Sequence, residues 1–303
     1  MLMIVIVLMA LGSLSNAFIL LRGAARQGAR PRAEAIVLGA ITNFFDTLGI
    51  GSFAPSTAWF KFRRLVPDQL IPQTLIAGHV PGSLVQALIF LVLLGGEVDP
   101  VLLVGNIVAI TVGGLIGARQ VYRAKAWIVQ GTVGIALIMA AVFYSLSNLG
   151  LMPIGGTAAS LPLGLTIIAI AASFVFGVLL NFGVGNYAPT LAMLSLMGMD
   201  PRYCFPIMAS SAGLAGVVVA NRHIQAAKID LRIALGIAIG GIPAVLIAAF
   251  VVKSMPVETL RWLVTVVVIY TAVVMLRSAA RGRGKPASAD LGQTIEQAAA
   301  IEA

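Results

Sequence analysis

The stretch Gly49-Ile50-Gly51-Ser52-Phe53-Ala54-Pro55-Ser56 decides how this chain is interpreted, because a near-copy of it occurs later. The copy reads Gly183-Val184-Gly185-Asn186-Tyr187-Ala188-Pro189-Thr190 and lies 134 residues further along. The same offset aligns three later landmarks without a gap, namely Pro67 with Pro201, Pro72 with Pro206 and Gly82 with Gly216. A duplicated Gly/Pro interruption of apolar sequence is typical of membrane proteins built from two repeats, in which it marks the ligand site.

The composition indicates a membrane protein. The 303 residues are 59% hydrophobic and 10% charged, with a mean hydropathy of +1.01, whereas a soluble domain carries about 25% charged residues. Because so few charges cannot cover a globule with polar surface, the apolar residues must face lipid. The net charge of +9 comes from basic residues scattered in short loops. This pattern is typical of membrane topology determinants and argues against nucleic-acid binding.

The reactive residue types are sparse. Cys204 is the only cysteine and the chain has two histidines, so we expect no intramolecular disulfide and no metal centre. An enzyme would need a nucleophile with a base, or a metal set, at membrane depth, and the chain offers only Asp46 and His79 there. The sequence therefore predicts a protein that is not an enzyme and has no cofactor.

Nine apolar runs, most of them close to the ~20 residues that span a bilayer as a helix, predict an all-α polytopic protein. They cover about 2–21, 33–49, 70–94, 100–118, 126–147, 163–181, 203–221, 233–252 and 257–276. Two shorter apolar pieces, 55–65 and 188–198, follow the two motifs. At ~1.5 Å per residue such a piece reaches about half of the hydrocarbon core and cannot cross alone. The first run lacks a preceding basic segment, which favours an uncleaved helix over a signal peptide.

The basic residues decide the topology. They cluster in five segments, 22–32, 61–64, 119–125, 222–232 and 277–285. If each short piece completed a broken spanning helix, Arg32 and Lys61 would lie on opposite sides of the membrane. If each motif is instead a re-entrant hairpin that returns to its side of entry, all five clusters lie in the cytoplasm, as the positive-inside rule requires. The charge pattern therefore favours re-entrant hairpins.

This topology predicts two inverted repeats. Residues 33–147 and 163–276 each contain one hairpin and three transmembrane helices, and an odd number of crossings inverts the second repeat. An extra N-terminal helix with a basic loop occupies 1–32 and has its N-terminus outside. Residues 148–162 form an external linker, and 277–303 form a disordered cytoplasmic tail. The oligomeric state stays open.

The hairpins predict an anion site at the membrane midplane. Pro55 and Pro189 suit the first turn of a helix, so two helix N-termini would point at each other from opposite leaflets. Each provides free N–H groups and a partial positive charge, which together favour an anion. The alternative is that the polar residues only satisfy the broken backbone. The candidate ligand residues are Gly49, Gly51, Ser52, Ala54, Pro55, Ser56, Thr57, Gly183, Gly185, Asn186, Tyr187, Ala188, Pro189 and Thr190.

Two ionisable residues lie at membrane depth. Asp46 precedes the first motif and either carries a coupling proton or pins the hairpin through backbone N–H groups. His79 lies mid-span and is either part of a proton relay or bonded to a neighbouring helix. Their aligned positions in the second repeat are Leu180 and Gly213, so any such role is asymmetric. Other polar residues at depth line the cavity or bond helices together: Gln73, Gln86, Asn43, Asn106 and Asn181.

The doubled G-x-G-x-x-A-P motif, the inverted duplication and the basic loops resemble the TauE/SafE family of sulfite and organosulfonate permeases. The resemblance covers about 33–276. Ser52 and Asn186 stand where family members often carry a third glycine. The resemblance implies secondary transport of a small sulfur-containing anion across the bacterial inner membrane, commonly outward. We expect the transporter to work by alternating access. An anion channel, a carboxylate transporter and a membrane enzyme are the alternatives.

Overall fold

The computed structural model describes residues 2–49, 51–67, 70–120, 126–149, 156–180, 186–225 and 229–282. These residues form eleven α-helices and their turns, with no strand among them. In chain order the helices are α1 (Leu2–Arg26), α2 (Ala33–Thr47), α3 (Phe53–Arg63), α4 (Ile71–Leu94), α5 (Pro100–Gln120), α6 (Ala126–Asn148), α7 (Leu163–Leu180), α8 (Tyr187–Leu196), α9 (Pro201–Gln225), α10 (Leu231–Ser254) and α11 (Val257–Gly282).

Several of these helices suit a bilayer. Four described segments are long and apolar enough to cross one: Leu2–Arg26, Gln73–Leu94, Leu231–Ser254 and Glu258–Gly282. Shorter apolar helices of 10–17 residues cover Pro100–Ile116, Gln130–Phe143, Leu163–Leu179 and Tyr187–Leu196. Large apolar side chains stand on the outer helix surfaces, where lipid can solvate them. The predicted all-α, multi-spanning membrane class is confirmed.

The first motif reverses the chain between α2 and α3. Gly49 and Gly51 have positive φ values, 94° and 88°, which glycine adopts without steric cost. At the other end of the pair, Glu34 in α2 accepts hydrogen bonds from Arg63 Nε (2.8 Å) and Trp59 Nε1 (3.0 Å) in α3. Arg63 also lowers the pKa of the Glu34 carboxyl. The start of α2 and the end of α3 therefore lie together, and the two helices form a hairpin.

Helices α7 and α8 form the second hairpin. Backbone hydrogen bonds join the segment before α7 to the segment after α8. The Ala158 N–H, which precedes α7, donates to the Gly198 carbonyl (3.3 Å), which follows α8. The Asp200 N–H donates back to the Ala158 carbonyl (3.0 Å). Residues 181–185, which connect the two helices, lie outside the described residues.

Two helix pairs run parallel. In the first, Gly236 of α10 lies against Ala35 of α2, and Gly241 lies against Asn43 one to two turns further on. Glycines permit this approach, because a side chain at either position would meet the neighbouring helix.

The second parallel pair joins α5 and α7. Gly105 lies against Ile170, and Gly113 lies against Gly177 two turns further along both helices. Each hairpin thus packs its longer limb in parallel against a helix from the other half of the chain.

Two other helix pairs run antiparallel. Val80 and Leu84 of α4 contact Gly216 and Gly213 of α9, in reverse order. In the same way, Gly134 of α6 lies against Leu276 of α11, while Asn148 donates to Thr265 Oγ1 (3.0 Å). The extra helix α1 packs across α4 and α9.

Most of the described arginines lie at one end of the bundle, hereafter the basic end. The Arg32 N–H donates to the Arg232 carbonyl (3.4 Å), and the Asp230 N–H donates to Thr74 Oγ1 (3.1 Å). These contacts bring the starts of α2, α4 and α10 together there. The ends of α1, α3 and α11 lie at the same end, with Arg26, Arg63 and Arg281 respectively in their last turns.

The C-terminal boundary differs from its prediction. Helix α11 continues to Gly282, so residues 277–282 of the predicted disordered tail are helical. Arg281 in the last turn favours this extension, since a cation stabilises the negative end of the helix dipole. Residues 283–303 lie outside the described residues.

Candidate functional site

The tip of the first hairpin packs against α8 of the second hairpin inside the bundle. A Cβ atom at Gly49 would lie 3.6 Å from Leu191 Cδ2 in α8 and 3.5 Å from Val267 Cγ1 in α11. The N-termini of the short helices α3 and α8 are thereby brought to one region between the two halves of the chain.

Asp46 holds the first tip in shape. Its Oδ1 accepts a hydrogen bond from the Ser52 N–H (2.8 Å), and its carbonyl accepts from the Gly49 N–H (2.8 Å). The carboxylate therefore stands at the positive end of α3, where an acceptor is stabilised. The side chain of Ser52 itself does not cap the helix. This is the backbone-pinning contact that one of the two interpretations of Asp46 predicts.

His79 binds the first short helix to α4. Ser56 Oγ and His79 Nε2 are 3.0 Å apart, and both side chains are buried. The Phe53 ring packs beside the imidazole with centroids 5.7 Å apart. Within the part of the chain that the structure describes, His79 Nδ1 has no hydrogen-bond partner.

The second tip has more unpaired polar atoms. Asn186 precedes α8, but its amide donates to the Met208 carbonyl in α9 (3.5 Å) instead of capping α8. The Tyr187 hydroxyl and the Thr190 hydroxyl, both buried, have no partner among the described residues. Each such atom costs about 1–3 kcal/mol of folding free energy when it stays unpaired. The start of α8 is therefore polar, buried and unsatisfied.

Gln86 of α4 faces this tip. Its side chain is fully buried and lies beside the Tyr187 hydroxyl, yet neither its amide nitrogen nor its oxygen has a partner with hydrogen-bonding geometry among the described residues. From the sequence alone, Gln86 is predicted only to line a cavity or to bond helices together. Its spacing of seven from His79 is the available signal, because it places both side chains on one face of α4.

Other predicted residues have different settings. Asn106 donates to Ser173 Oγ and accepts from Ser211 Oγ, so it bonds α5, α7 and α9 together. Gln73 lies in the first turn of α4, near the basic end. Thr57 is half-buried in α3. Ala54, Pro55, Ala188 and Pro189 occupy first turns of their helices. Gly183, Gly185 and Asn181 lie outside the described residues.

Among the described residues, no group of three or more His, Cys, Asp or Glu side chains is placed to hold a metal ion. Cys204 is fully buried, with Ser195 Oγ 3.7 Å from its sulfur, in the packing between α8 and α9.

Comparison with known proteins identifies the second half of the chain. A family model described as Sulfite exporter TauE/SafE matches residues 165–300, a range that contains most of α7 and all of α8 to α11, and therefore the second motif. Neither the curated proteins nor the solved structures gave a match. The match over residues 165–300 is to the same TauE/SafE sulfite exporter family that the motifs resemble.

Proposed function

We propose that this protein is a secondary transporter that exports a small anion, namely sulfite, an organosulfonate or a related sulfur oxyanion. The observation that carries the proposal is the meeting of two hairpin tips at a buried region whose donors lack partners among the described residues. The family supports the sulfur-containing substrate and the outward direction. The anion binds between the N-termini of α3 and α8, and alternating access exposes it to each side in turn.

The packing of the helices supports an inverted-repeat architecture. Matching α2–α6 with α7–α11 pairs the α2/α10 contact with the α7/α5 contact, and both are parallel. The same matching turns α4/α9 and α6/α11 into pairs of equivalent helices, and both are antiparallel. A two-fold axis that relates antiparallel helices is perpendicular to them, which in a bilayer means in the membrane plane. Such an axis is typical of transporters that rock one repeat against the other.

The orientation that we propose puts the basic end in the cytoplasm and the N-terminus outside, in a bacterial inner membrane. It predicts that cysteines replacing Arg32 and Arg64 are labelled by an impermeant maleimide from the cytoplasmic side. A cysteine replacing Glu258, in the first turn of α11 at the opposite end, should be labelled from outside. The native Cys204 is buried and gives little background. Labelling of Arg32→Cys and Arg64→Cys from opposite sides would rule out the re-entrant hairpin.

Proton coupling through Asp46 is part of the proposal, because a carboxylate inside a membrane protein is usually functional. Asp46→Asn keeps an oxygen that can accept from the Ser52 N–H, so the tip should hold its shape. We expect its transport rate to lose its dependence on pH. The measurement is initial uptake into proteoliposomes over a pH series. A pH profile equal to that of the wild type would leave Asp46 with the structural role alone.

Thermal stabilisation of the purified protein tests the substrate class. A ligand that binds only the folded state adds about 2.7 kcal/mol of stability at a hundred times its Kd. We expect sulfite, thiosulfate, taurine or sulfoacetate to raise the melting temperature in proportion to the logarithm of concentration. Stabilisation by acetate or succinate alone would retain the anion site and reject the sulfur substrate. No stabilisation by any of these anions would contradict the proposal and favour a channel.

A further inference from the structure

We propose that Gln86, Tyr187 and Thr190 hold the transported oxyanion, so that the ligand lies against the second hairpin and not midway between the two. This inference rests on the proposed function and deepens it. It assigns a ligand role to Gln86, and it divides the two copies of the motif into a binding copy and a supporting copy.

Burial without partners is the first argument. Gln86 and Thr190 are fully buried and Tyr187 is 8% exposed. Four of their side-chain polar atoms, Gln86 Nε2 and Oε1, Tyr187 Oη and Thr190 Oγ1, have no partner with hydrogen-bonding geometry among the described residues, although the Gln86 side chain lies beside the Tyr187 hydroxyl. Thr190 follows Tyr187 by three residues, which places both on one face of α8. Buried polar atoms are normally paired, so several unpaired ones together indicate a ligand that completes them.

The second argument is the contrast between the two tips. Ser56 and Thr190 are aligned positions, but Ser56 is bonded to His79, and the position aligned with His79 is Gly213. Glycine has no side chain to offer to Thr190. Asp46 likewise occupies the first tip by accepting from Ser52, whereas its aligned residue is Leu180. The Ser56 hydroxyl and the Ser52 N–H at the first tip are thus paired within the protein, and a negative carboxylate already stands there.

The chemistry of these groups defines the ligand. The Gln86 amide nitrogen, the two hydroxyls and the N-terminus of α8 are all donors, and none carries a full charge. They suit a compact anion with several acceptor oxygens. Neutral donors satisfy such an anion without the tight charge pairing of an arginine or lysine, and this favours release on the far side of the membrane. The chain's described arginines lie toward the helix ends and leave the start of α8 to neutral groups.

The test measures sulfite binding to the full-length protein by thermal shift and calorimetry. Gln86→Leu and Tyr187→Phe remove polar atoms while nearly preserving shape, and each should weaken the Kd about tenfold or more. Without sulfite, Gln86→Leu should melt at or above the wild-type temperature, because it removes buried unpaired atoms. Gln73→Leu is the matched control. It removes another glutamine of α4, whose Oε1 is unpaired among the described residues, 13 residues or about 20 Å away, and should bind sulfite normally.

Each outcome decides something. Normal sulfite binding in both Gln86→Leu and Tyr187→Phe would overturn this site while leaving the proposed function in place. A lowered melting temperature in ligand-free Gln86→Leu would mean a structural role and would also overturn it. If Gln86→Leu does not fold, Tyr187→Phe and Thr190→Val, which each remove one hydroxyl, decide the matter. A wild-type protein that sulfite and the other anions do not stabilise contradicts the proposed function, and the ligand role of Gln86 falls with it.

Discussion

Alanine at Gly240 or at Gly177 is expected to prevent the protein from folding to a stable state. A Cβ atom at Gly240 would overlap the backbone carbonyl oxygen of Ile36, and one at Gly177 would overlap that of Ile110. Backbone atoms cannot turn aside as a flexible side chain can. The paired helices must therefore separate, at a cost at or above the ~1–3 kcal/mol typical of overpacking. Folded yield by size-exclusion chromatography in detergent, together with the melting temperature, measures the effect.

The control for this prediction is Gly164→Ala in α7. A Cβ atom at Gly164 has no atom within 4 Å, so alanine meets nothing there. Because alanine favours a helix over glycine by about 0.5–1 kcal/mol, the control should melt at or above the wild-type temperature. A Gly240→Ala protein with the wild-type yield and melting temperature would show that α2 and α10 do not approach as closely as described.

Valine at Gly51 is expected to abolish transport while leaving the protein folded. Gly51 has φ +88° and open space around it, so the obstacle is conformational and not steric contact. A β-branched residue disfavours positive φ, and the turn must rearrange. Rearrangement moves the Ser52 N–H away from Asp46 and tilts the start of α3 away from the second tip. Transport into proteoliposomes should fall at least tenfold, with the elution profile of a folded protein.

Gly28→Val is the matched control for the tip. Gly28 also has a positive φ, 58°, and a Cβ atom there would have no atom within 4 Å, but this glycine lies in the turn after α1, near the basic end. The variant should lose some stability and retain transport. Equal loss of transport in both variants would mean that backbone strain anywhere disables the protein, and the special role of the tip would be rejected.

Local signals in the sequence predict the hairpins well. The Gly/Pro motif places the first short helix at 55–65, and α3 covers Phe53–Arg63. The second is placed at 188–198, and α8 covers Tyr187–Leu196. These boundaries follow from glycine and proline conformations within a few residues, so no knowledge of distant packing is required. The same holds for the apolar runs, whose length alone indicates a spanning helix.

Contacts between distant parts of the chain escape such reasoning. Nothing local pairs Gly39 with Ile237, although glycine is required there for the close approach of α2 and α10. Asn106 and Gln86 are both polar residues in apolar helices, yet among the described residues only Asn106 finds hydrogen-bond partners, Ser173 and Ser211. Whether Asn106 or Gln86 lines the site depends on the helices that surround each residue. The role that we propose for Gln86 therefore emerges only once its side chain is placed beside Tyr187.

Sulfite flux in proteoliposomes tests the central claim most directly. We predict saturable, concentration-dependent exchange of sulfite across the membrane by the wild type, retained in Gly28→Val and lost in Gly51→Val. We also predict that unlabelled organosulfonates that are substrates lower the sulfite flux, because they compete with sulfite for the same site. Sulfite flux that does not saturate, or flux that Gly51→Val leaves unchanged, would contradict a substrate site at the meeting point of the two hairpin tips.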